Sequence, residues 1–171
     1  ELSLQNYKDL NDEIQIASCY SNIANLKADK GEIDEAISLA KKVLEIYKKK
    51  GLTEGIAISD HNLASYYIES GDIDLAKEHL MRALENAILM KHQKGRLYCN
   101  FMLGVISLKK MNEDHIALEY FEKSSKIAKE LSDINKIDQI NYELSILYEK
   151  KGDHEKALEH YKSHIEAKDS I

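Results

Sequence analysis

The sequence has no proline, no tryptophan and only seven glycines among its 171 residues. Proline breaks helix interiors because it lacks a backbone donor and clashes with the preceding turn, so long uninterrupted helices are allowed here. The β-branched residues do not form alternating runs, and an all-α fold is therefore predicted. A chain of this length with 43% hydrophobic residues can bury the core of one domain.

The sequence also lacks an excess of positive charge and any long apolar run. Its 24 lysines and arginines are outnumbered by 30 acidic residues, which gives a net charge of −6. Because neutralisation of phosphates by lysine and arginine supplies most of the affinity for nucleic acid, no nucleic-acid partner is expected. No apolar stretch approaches the roughly 20 residues that span a bilayer, so this segment is not expected to insert into a membrane.

Cysteine is scarce, with Cys19 and Cys99 alone, two repeat periods apart. Packed helices lie about 8–10 Å apart, whereas a disulfide needs Cα atoms within about 7 Å. We therefore predict two buried free thiols and no internal disulfide. Free thiols are typical of a reducing compartment, and a cytoplasmic location is expected.

One motif is abundant. In its first copy Asn22-Ile23-Ala24 precedes Gly31-Glu32-Ile33-Asp34-Glu35-Ala36-Ile37. Its final alanine recurs at nearly constant spacing, as Ala36, Ala76, Ala117 and Ala157. A fixed period of about 40 residues is typical of a solenoid built from helix pairs.

The whole chain, residues 1–171, is assigned to one domain, and the period divides that domain into repeats. Residues 1–10 are interpreted as the end of a preceding helix, because Leu4 and Tyr7 stand one period before Leu44 and Tyr47. The chain is thus expected to be a piece of a longer array. The four repeats are assigned to 11–51, 52–92, 93–132 and 133–171. The predicted helix pairs are 12–30 with 33–50, 53–70 with 73–92, 94–111 with 114–131, and 134–151 with 154–169.

Small residues recur where the two helices of each pair are expected to touch. One set faces the four alanines and comprises Ala24, Ala64, Gly104 and Ser145. Large apolar residues are expected to fill the space around them, namely Ile23, Leu26, Ile37, Leu44, Leu63, Tyr66, Leu80, Leu84, Leu103, Ile106, Leu118, Phe121, Leu144, Leu147, Leu158 and Tyr161.

The predicted helix caps are Thr53, Asp72, Asp153 and either Ser132 or Asp133. Gly31, Gly71 and Gly152 are expected to close first helices, with Asn112 in that role in the third repeat, where the turn gains one residue.

These units resemble tetratricopeptide repeats, whose pattern places Asn-Leu-Gly before Gly-Asp-Tyr-Asp-Glu-Ala-Ile. Asn22, Asn62, the small residues and the four alanines match that pattern. The departures are a period of about 40 rather than 34, no closing proline, and Tyr20, Asp60, Asn100 and Asn141 at the position of the family's tryptophan. The resemblance implies a right-handed superhelix of antiparallel helix pairs. Long units of this kind are similar to those of bacterial regulators, scaffold proteins and sensory histidine kinases.

The family's binding groove is lined by the first helix of each pair, and its positions can be transferred residue by residue. The apolar and aromatic members are Ile58, His61, Ile68, Tyr98, Phe101, Val105, Leu108, Tyr142 and Ile146. An exposed band of this kind is typical of a binding surface for a protein or peptide segment. The alternative is that superhelix curvature or long helices bury these side chains.

The rim of this groove changes sign along the chain. Asp29 and Glu69 precede Lys109 and Lys150, and such a gradient can orient a bound segment. The family's carboxylate clamp is not matched, because Ser21 stands where its lysine is expected.

No catalytic constellation is predicted. His160 and His164 are spaced i, i+4 on one helix face, but no glutamate follows His160 directly as in a zinc-protease helix, and no nearby cysteine completes a metal site. No nucleophile elbow or phosphate-binding glycine loop occurs, and neither cofactor nor metal is expected.

The function expected from these patterns is a non-catalytic protein-binding or peptide-binding module. We expect it to be the sensory or scaffolding region of a larger bacterial signalling protein, such as a histidine kinase or transcriptional regulator. The alternative is a structural unit that self-assembles through its terminal helices, for example as a homodimer. That alternative depends on Leu158, Tyr161 and Ile165, which have no following helix to cover them.

Overall fold

The computed structural model describes residues 12–168, and every regular element in that range is helical. The all-α prediction is confirmed. The helices are α1 Glu13–Asp29, α2 Ile33–Lys50, α3 Thr53–Ser70, α4 Ile73–Leu89, α5 Gln93–Ile106, α6 Asp114–Glu130, α7 Ile134–Lys150 and α8 His154–Lys168. A π-helical turn, Ser107–Met111, continues α5. No helix within residues 12–168 is both long enough and apolar enough to cross a bilayer.

The predicted helix ends agree closely with the observed ones. Each lies within three residues of the end in the structure when the π-helical turn is counted with α5. The interpretation of residues 1–10 lies outside the described part of the chain.

The chain divides into two compact units, residues 1–86 and 87–171. In the first unit, helices α1 to α3 and most of α4 are joined by turns of two or three residues, so that sequence neighbours pack side by side. Their buried core is built around the small residues of the motif: Ala24, Ala36 and Ala76 are almost inaccessible to solvent, and Leu63 fills the space beside them. The predicted packing role of these alanines is confirmed.

The second unit repeats this arrangement with α5 to α8. Gly104 of α5 lies against Phe121 of α6, and a Cβ atom built on Gly104 would come within 2.7 Å of the Phe121 ring. Glycine is therefore required here by the large ring opposite it. Ala117 and Ser145 are buried at the equivalent contacts, while Ala157 is half-buried.

Several residues predicted to be buried are exposed or half-buried. Leu26 is 60% exposed, so its assignment to the core is wrong: it lies on the outward face of α1, two residues beyond the buried Ala24. Leu158 and Tyr161 of α8 are also exposed, because no described helix covers that face. Cys19 is half-buried rather than buried, whereas Cys99 is buried, and neither is part of a disulfide.

The additional residue of the third repeat lies inside a helix rather than in the turn. Ser107–Met111 is the π-helical turn at the end of α5, and the backbone N–H of Asn112 donates to the carbonyl of Ser107 five residues earlier. Asn112 then adopts a left-handed conformation with φ 59°, which asparagine tolerates better than most residues. The prediction of Asn112 as the turn residue is confirmed, and the π-helical last turn of α5 accommodates the added residue.

Two of the predicted helix caps are observed. The carboxylate of Asp133 accepts a bond from the backbone N–H of Lys136 at 3.0 Å, and that of Asp153 accepts one from Lys156 at 3.2 Å. Thr53 is not a cap, because Leu52 holds the N-cap position of α3. That cap prediction was wrong by one residue.

A pair of leucine truncations tests the assigned core. Leu63→Ala should lower the free energy of unfolding by about 2–5 kcal/mol, because it removes buried contacts and leaves a cavity. Leu26→Ala removes the same side chain from an exposed position and should change stability by less than about 0.5 kcal/mol. Urea denaturation followed by circular dichroism measures both. Equal losses in the two variants would contradict the burial assigned to Leu63.

Candidate protein-binding surface

In the first unit, the predicted groove residues lie on α3 and differ in exposure. Ile58 is 53% exposed, whereas His61 and Ile68 are half-buried. Ile68 packs against the buried cluster around Leu63. Burial lowers the pKa of His61 because it disfavours the charged imidazolium. Of these three residues, Ile58 offers the largest apolar area to a partner.

In the second unit, the structure divides the predicted groove residues of α5 and the adjoining π-helical turn between core and surface. Phe101 and Leu108 are buried members of the hydrophobic core, and Val105 packs against that core. The Phe101 ring lies 6.2 Å from the ring of Phe121, measured between centroids. For Phe101 and Leu108 the structure thus shows the burial that the sequence left open as an alternative. Tyr98 remains half-buried.

The predicted groove residues of α7 are Tyr142 and Ile146. Ile146 is half-buried against the core, but Tyr142 is 44% exposed. The ring of Tyr142 lies 5.2 Å from the His164 ring of α8. The aromatic face available in this unit is therefore centred on Tyr142. Binding through the predicted residues stays a prediction.

Both positive rim charges are paired with carboxylates of the same chain. Lys109 Nζ lies 2.6 Å from an oxygen of the buried Glu143, and Lys150 Nζ lies 2.6 Å from an oxygen of Asp114. Each of these charges is therefore balanced internally, which weakens their attraction for an acidic partner.

The acidic rim residues lie near a tyrosine. Asp29 and Glu69 are exposed, and the Tyr66 hydroxyl donates a 2.5 Å hydrogen bond to the side-chain oxygen of Asn25. Burial raises the pKa of Tyr66, and the two carboxylates raise it further. The hydroxyl thus remains protonated, as a donor to Asn25 must be.

A buried charged network in the first unit was not predicted from the sequence. Asp60 is fully buried, and its Oδ1 atom accepts hydrogen bonds from His79 Nδ1 and Arg82 Nη2, both at 2.8 Å. Burial alone raises the pKa of Asp60, but the bonds from His79 and Arg82 outweigh it and hold the pKa below its ordinary value. Asp60 therefore stays ionised and ties α3 to α4.

A recurrence in the second unit was the signal that could have revealed this network. Asn141 stands at the equivalent place of its repeat, and its side-chain oxygen lies 3.0 Å from Nδ1 of His160. His160 follows Asn141 by 19 residues, the same separation as that between Asp60 and His79. Each histidine also stacks on a tyrosine seven residues after the polar partner, Tyr67 at 5.3 Å and Tyr148 at 5.4 Å. At these positions a hydrogen-bonded histidine occupies the helix-pair contact.

The two histidines considered as metal ligands are held by polar side chains of α7. His160 bonds Asn141, and His164 Nδ1 lies 2.5 Å from an oxygen of Asp138. Within residues 12–168, no group of three or more His, Cys, Asp or Glu side chains is arranged to hold a metal ion. These imidazoles therefore join α8 to α7.

Two open clefts, of about 420 and 500 Å³, lie among α6, α7 and α8 and share Lys129 and His160. None of the predicted groove residues lines either cleft. The exposed members of the predicted surface, Ile58 and Tyr142, thus lie on helix surfaces rather than on the wall of either cleft.

Comparison with known proteins identifies the repeat. Models described as tetratricopeptide repeat match residues 15–88 and 138–170, more than half of the chain together. The chain belongs to the tetratricopeptide repeat family. Repeats of this family are protein-interaction and scaffolding elements and are in general non-catalytic.

The individual matches show similar folds in longer proteins. Tetratricopeptide repeat protein 29 of Trypanosoma brucei brucei is 28% identical over 137 residues, which span 78% of this chain and 27% of that protein. BtubC (BKLC) from P. vanneervenii is 22% identical, with a TM-score of 0.85 over 93% of this chain and 65% of that one. Aspartyl phosphate phosphatase F from Bacillus subtilis is 16% identical, with a TM-score of 0.86 over 93% and 42%.

Replacing Asp60 tests the buried network through stability and its pH dependence. Asp60→Ala should lower the free energy of unfolding at pH 7 by about 3–5 kcal/mol, because it leaves Arg82 and His79 without their acceptor. Since the folded pKa lies below the unfolded one, this stabilisation is present above about pH 4 and is lost as the pH falls through the folded value. Denaturation of wild type and variant from pH 7 to pH 2 should show the difference narrowing. Asp29→Ala, at an exposed position, is the control, and a pH-independent difference for Asp60 would contradict the network.

Proposed function

We propose that this tetratricopeptide repeat segment is a non-catalytic module that binds a protein or peptide segment through the exposed residues of its first helices. The exposure of Ile58 and Tyr142 at groove positions is the observation that supports it. Large apolar side chains left in solvent at positions that the repeat does not need for packing favour a contact surface. The motif alanines and Gly104 are not part of the proposed contact surface, because helix packing explains why small residues stand at these positions.

A non-catalytic role fits the use of the histidines. His79, His160 and His164 each bond a neighbouring carboxylate or amide between helices, which favours structural over acid–base roles. The buried Cys99 is a poor nucleophile, because burial raises its pKa to about 12.

We propose that the module serves as the sensory or scaffolding region of a larger, cytoplasmic signalling protein. Its long repeats resemble those of bacterial histidine kinases and transcriptional regulators, and this resemblance supports a bacterial context. The chain spans about a quarter of the curated relative, which fits a part of a larger protein. The sequence of the parent protein on either side of residues 1–171 tests this assignment directly.

Selection from a phage-displayed library of random peptides tests the binding role. The wild-type chain should enrich peptides, and Ile58→Ser or Tyr142→Ser should weaken the affinity for peptides bound in that unit by about tenfold or more, because a central apolar contact is lost. Fluorescence anisotropy of labelled peptides measures these affinities. Leu75→Ser is the matched control, since Leu75 is exposed on the second helix of its pair. Failure of the wild type to enrich any peptide would overturn the proposal.

Self-assembly is the second candidate, and the apolar face of α8 supports it. Leu158, Tyr161 and Ile165 recur at intervals of three and four residues and are all exposed, which is the spacing of one helix face. A second copy can cover this face by presenting its own.

Light scattering across a concentration series tests this assembly. The wild type should form a dimer at high concentration, and Tyr161→Glu should shift the equilibrium towards monomer by about tenfold or more, because a charge would be buried in the contact. Met81→Glu, on the exposed face of α4, should leave the dimer intact. A wild-type chain that stays monomeric throughout the series would rule out this candidate.

A further inference from the structure

Lys136, in the first turn of α7, lies over the aromatic residues of α5. Its Nζ atom is 4.4 Å from the centroid of the Phe101 ring and 5.8 Å from that of Tyr98. The same atom donates a 2.6 Å hydrogen bond to Oε1 of Gln139. The ammonium group is therefore held in place by two ring faces and a neutral amide.

Among the described residues, no carboxylate forms an ion pair with Lys136. The acidic side chain that acts on it is Asp133, whose carboxylate accepts the backbone N–H of Lys136 as the cap of α7. Lys156 provides a contrast, because it lies 5.2 Å from the ring centroid of Tyr148 and also 3.3 Å from an oxygen of Asp153. The rim lysines Lys109 and Lys150 are paired as well. Lys136 has the aromatic contacts of Lys156 without a carboxylate.

The position of Lys136 places it on the predicted binding surface. Tyr98 and Phe101 occupy groove positions of the third repeat. Gln139 lies six residues before Ser145, as Tyr98 lies six before Gly104, and so holds the equivalent position of the fourth repeat. Tyr142 follows Gln139 by one helical turn, as Gln139 follows Lys136, so each of these side chains is next to the following one on α7. The first turn of α7 also carries the positive end of the helix dipole, which favours an anion.

We propose that Lys136 selects the partner, by binding an aspartate or glutamate side chain of the protein segment that contacts Tyr142. This inference rests on the proposed binding function and names the chemistry of its partner. The acidic side chain takes the place of the carboxylate that Lys109, Lys150 and Lys156 each have within the chain. A neighbouring aromatic or aliphatic residue of the partner packs on Tyr142.

The surroundings of Lys136 make such a carboxylate effective. Half-burial removes water from the ammonium group and lowers the pKa of Lys136, although Asp133 acts in the opposite direction. A carboxylate brought to Nζ restores that lost solvation in a site with less screening than open water. The ring faces limit where the ammonium can move, so less side-chain entropy is lost on binding.

The same peptide selection, read for sequence preference, tests the proposal. Peptides enriched by the wild type and released by Tyr142→Ser should share one aspartate or glutamate position. Lys136→Glu should reverse this preference to lysine or arginine, and Lys136→Met, which keeps an apolar cover on Phe101, should remove it. For one enriched peptide made with an amidated C terminus, Lys136→Met should weaken binding by about tenfold or more. Circular dichroism melts of both variants check that they fold.

Lys156→Glu is the matched control, since it reverses a lysine that also lies over a tyrosine but has its own carboxylate. Its peptide preference should equal that of the wild type. Enriched peptides without a common acidic position would overturn the role of Lys136 while leaving the proposed function intact. So would a preference unchanged in both Lys136 variants, or binding that disappears when the C terminus is amidated. No enrichment at all would overturn the binding function together with this inference.

Discussion

Two helices can pack at short distance only where at least one of them presents a small residue at the point of closest approach, and this constraint governs the whole repeat. Ala24 and Ala36 satisfy it in the first pair with one methyl group each. Gly104 satisfies it differently, by giving up its side chain so that Phe121 can fill the contact. The other core residues of the repeat pack around these small residues. The large residues vary in type and position, but the small ones keep their spacing.

The spacing of small residues is also why the fold could be predicted so far from the sequence. Helix number, helix ends and the burial of the first three motif alanines all follow from it, because a nearly constant repeat length leaves little freedom in where the turns fall. The conformation of the turns that follow the second helix of each pair was harder to predict from the sequence. Lys91 and Ser132 adopt positive φ there, as Gly51 does, and neither residue type signals a left-handed conformation. Leu26 was misplaced because the spacing of apolar residues on α1 does not by itself distinguish its outward face.

The candidate surface was predicted less completely, since exposure depends on contacts that the period does not encode. Phe101 and Tyr142 occupy the same position of consecutive repeats, yet one is core and the other is exposed. The difference arises from the neighbours: Phe101 is covered by Lys136 and meets Phe121, whereas Tyr142 has His164 beside it. Lys136 precedes the family's groove positions, so a transfer of those positions could not find it. Asp60 was hidden for another reason, because both of its partners lie on the next helix, far from it in the sequence.

The π-helical turn at Ser107–Met111 has a consequence for how arrays of this kind can change. A residue inserted into a regular helix rotates everything after it by about 100°, which would turn the buried face of the following helix towards water. Here the wider turn absorbs the added residue before α6 begins, so the phase of the next repeat is unchanged. Repeats that differ in length by a single residue can therefore stand next to each other in one array. A single added residue in one repeat need not turn the buried faces of its neighbours towards water.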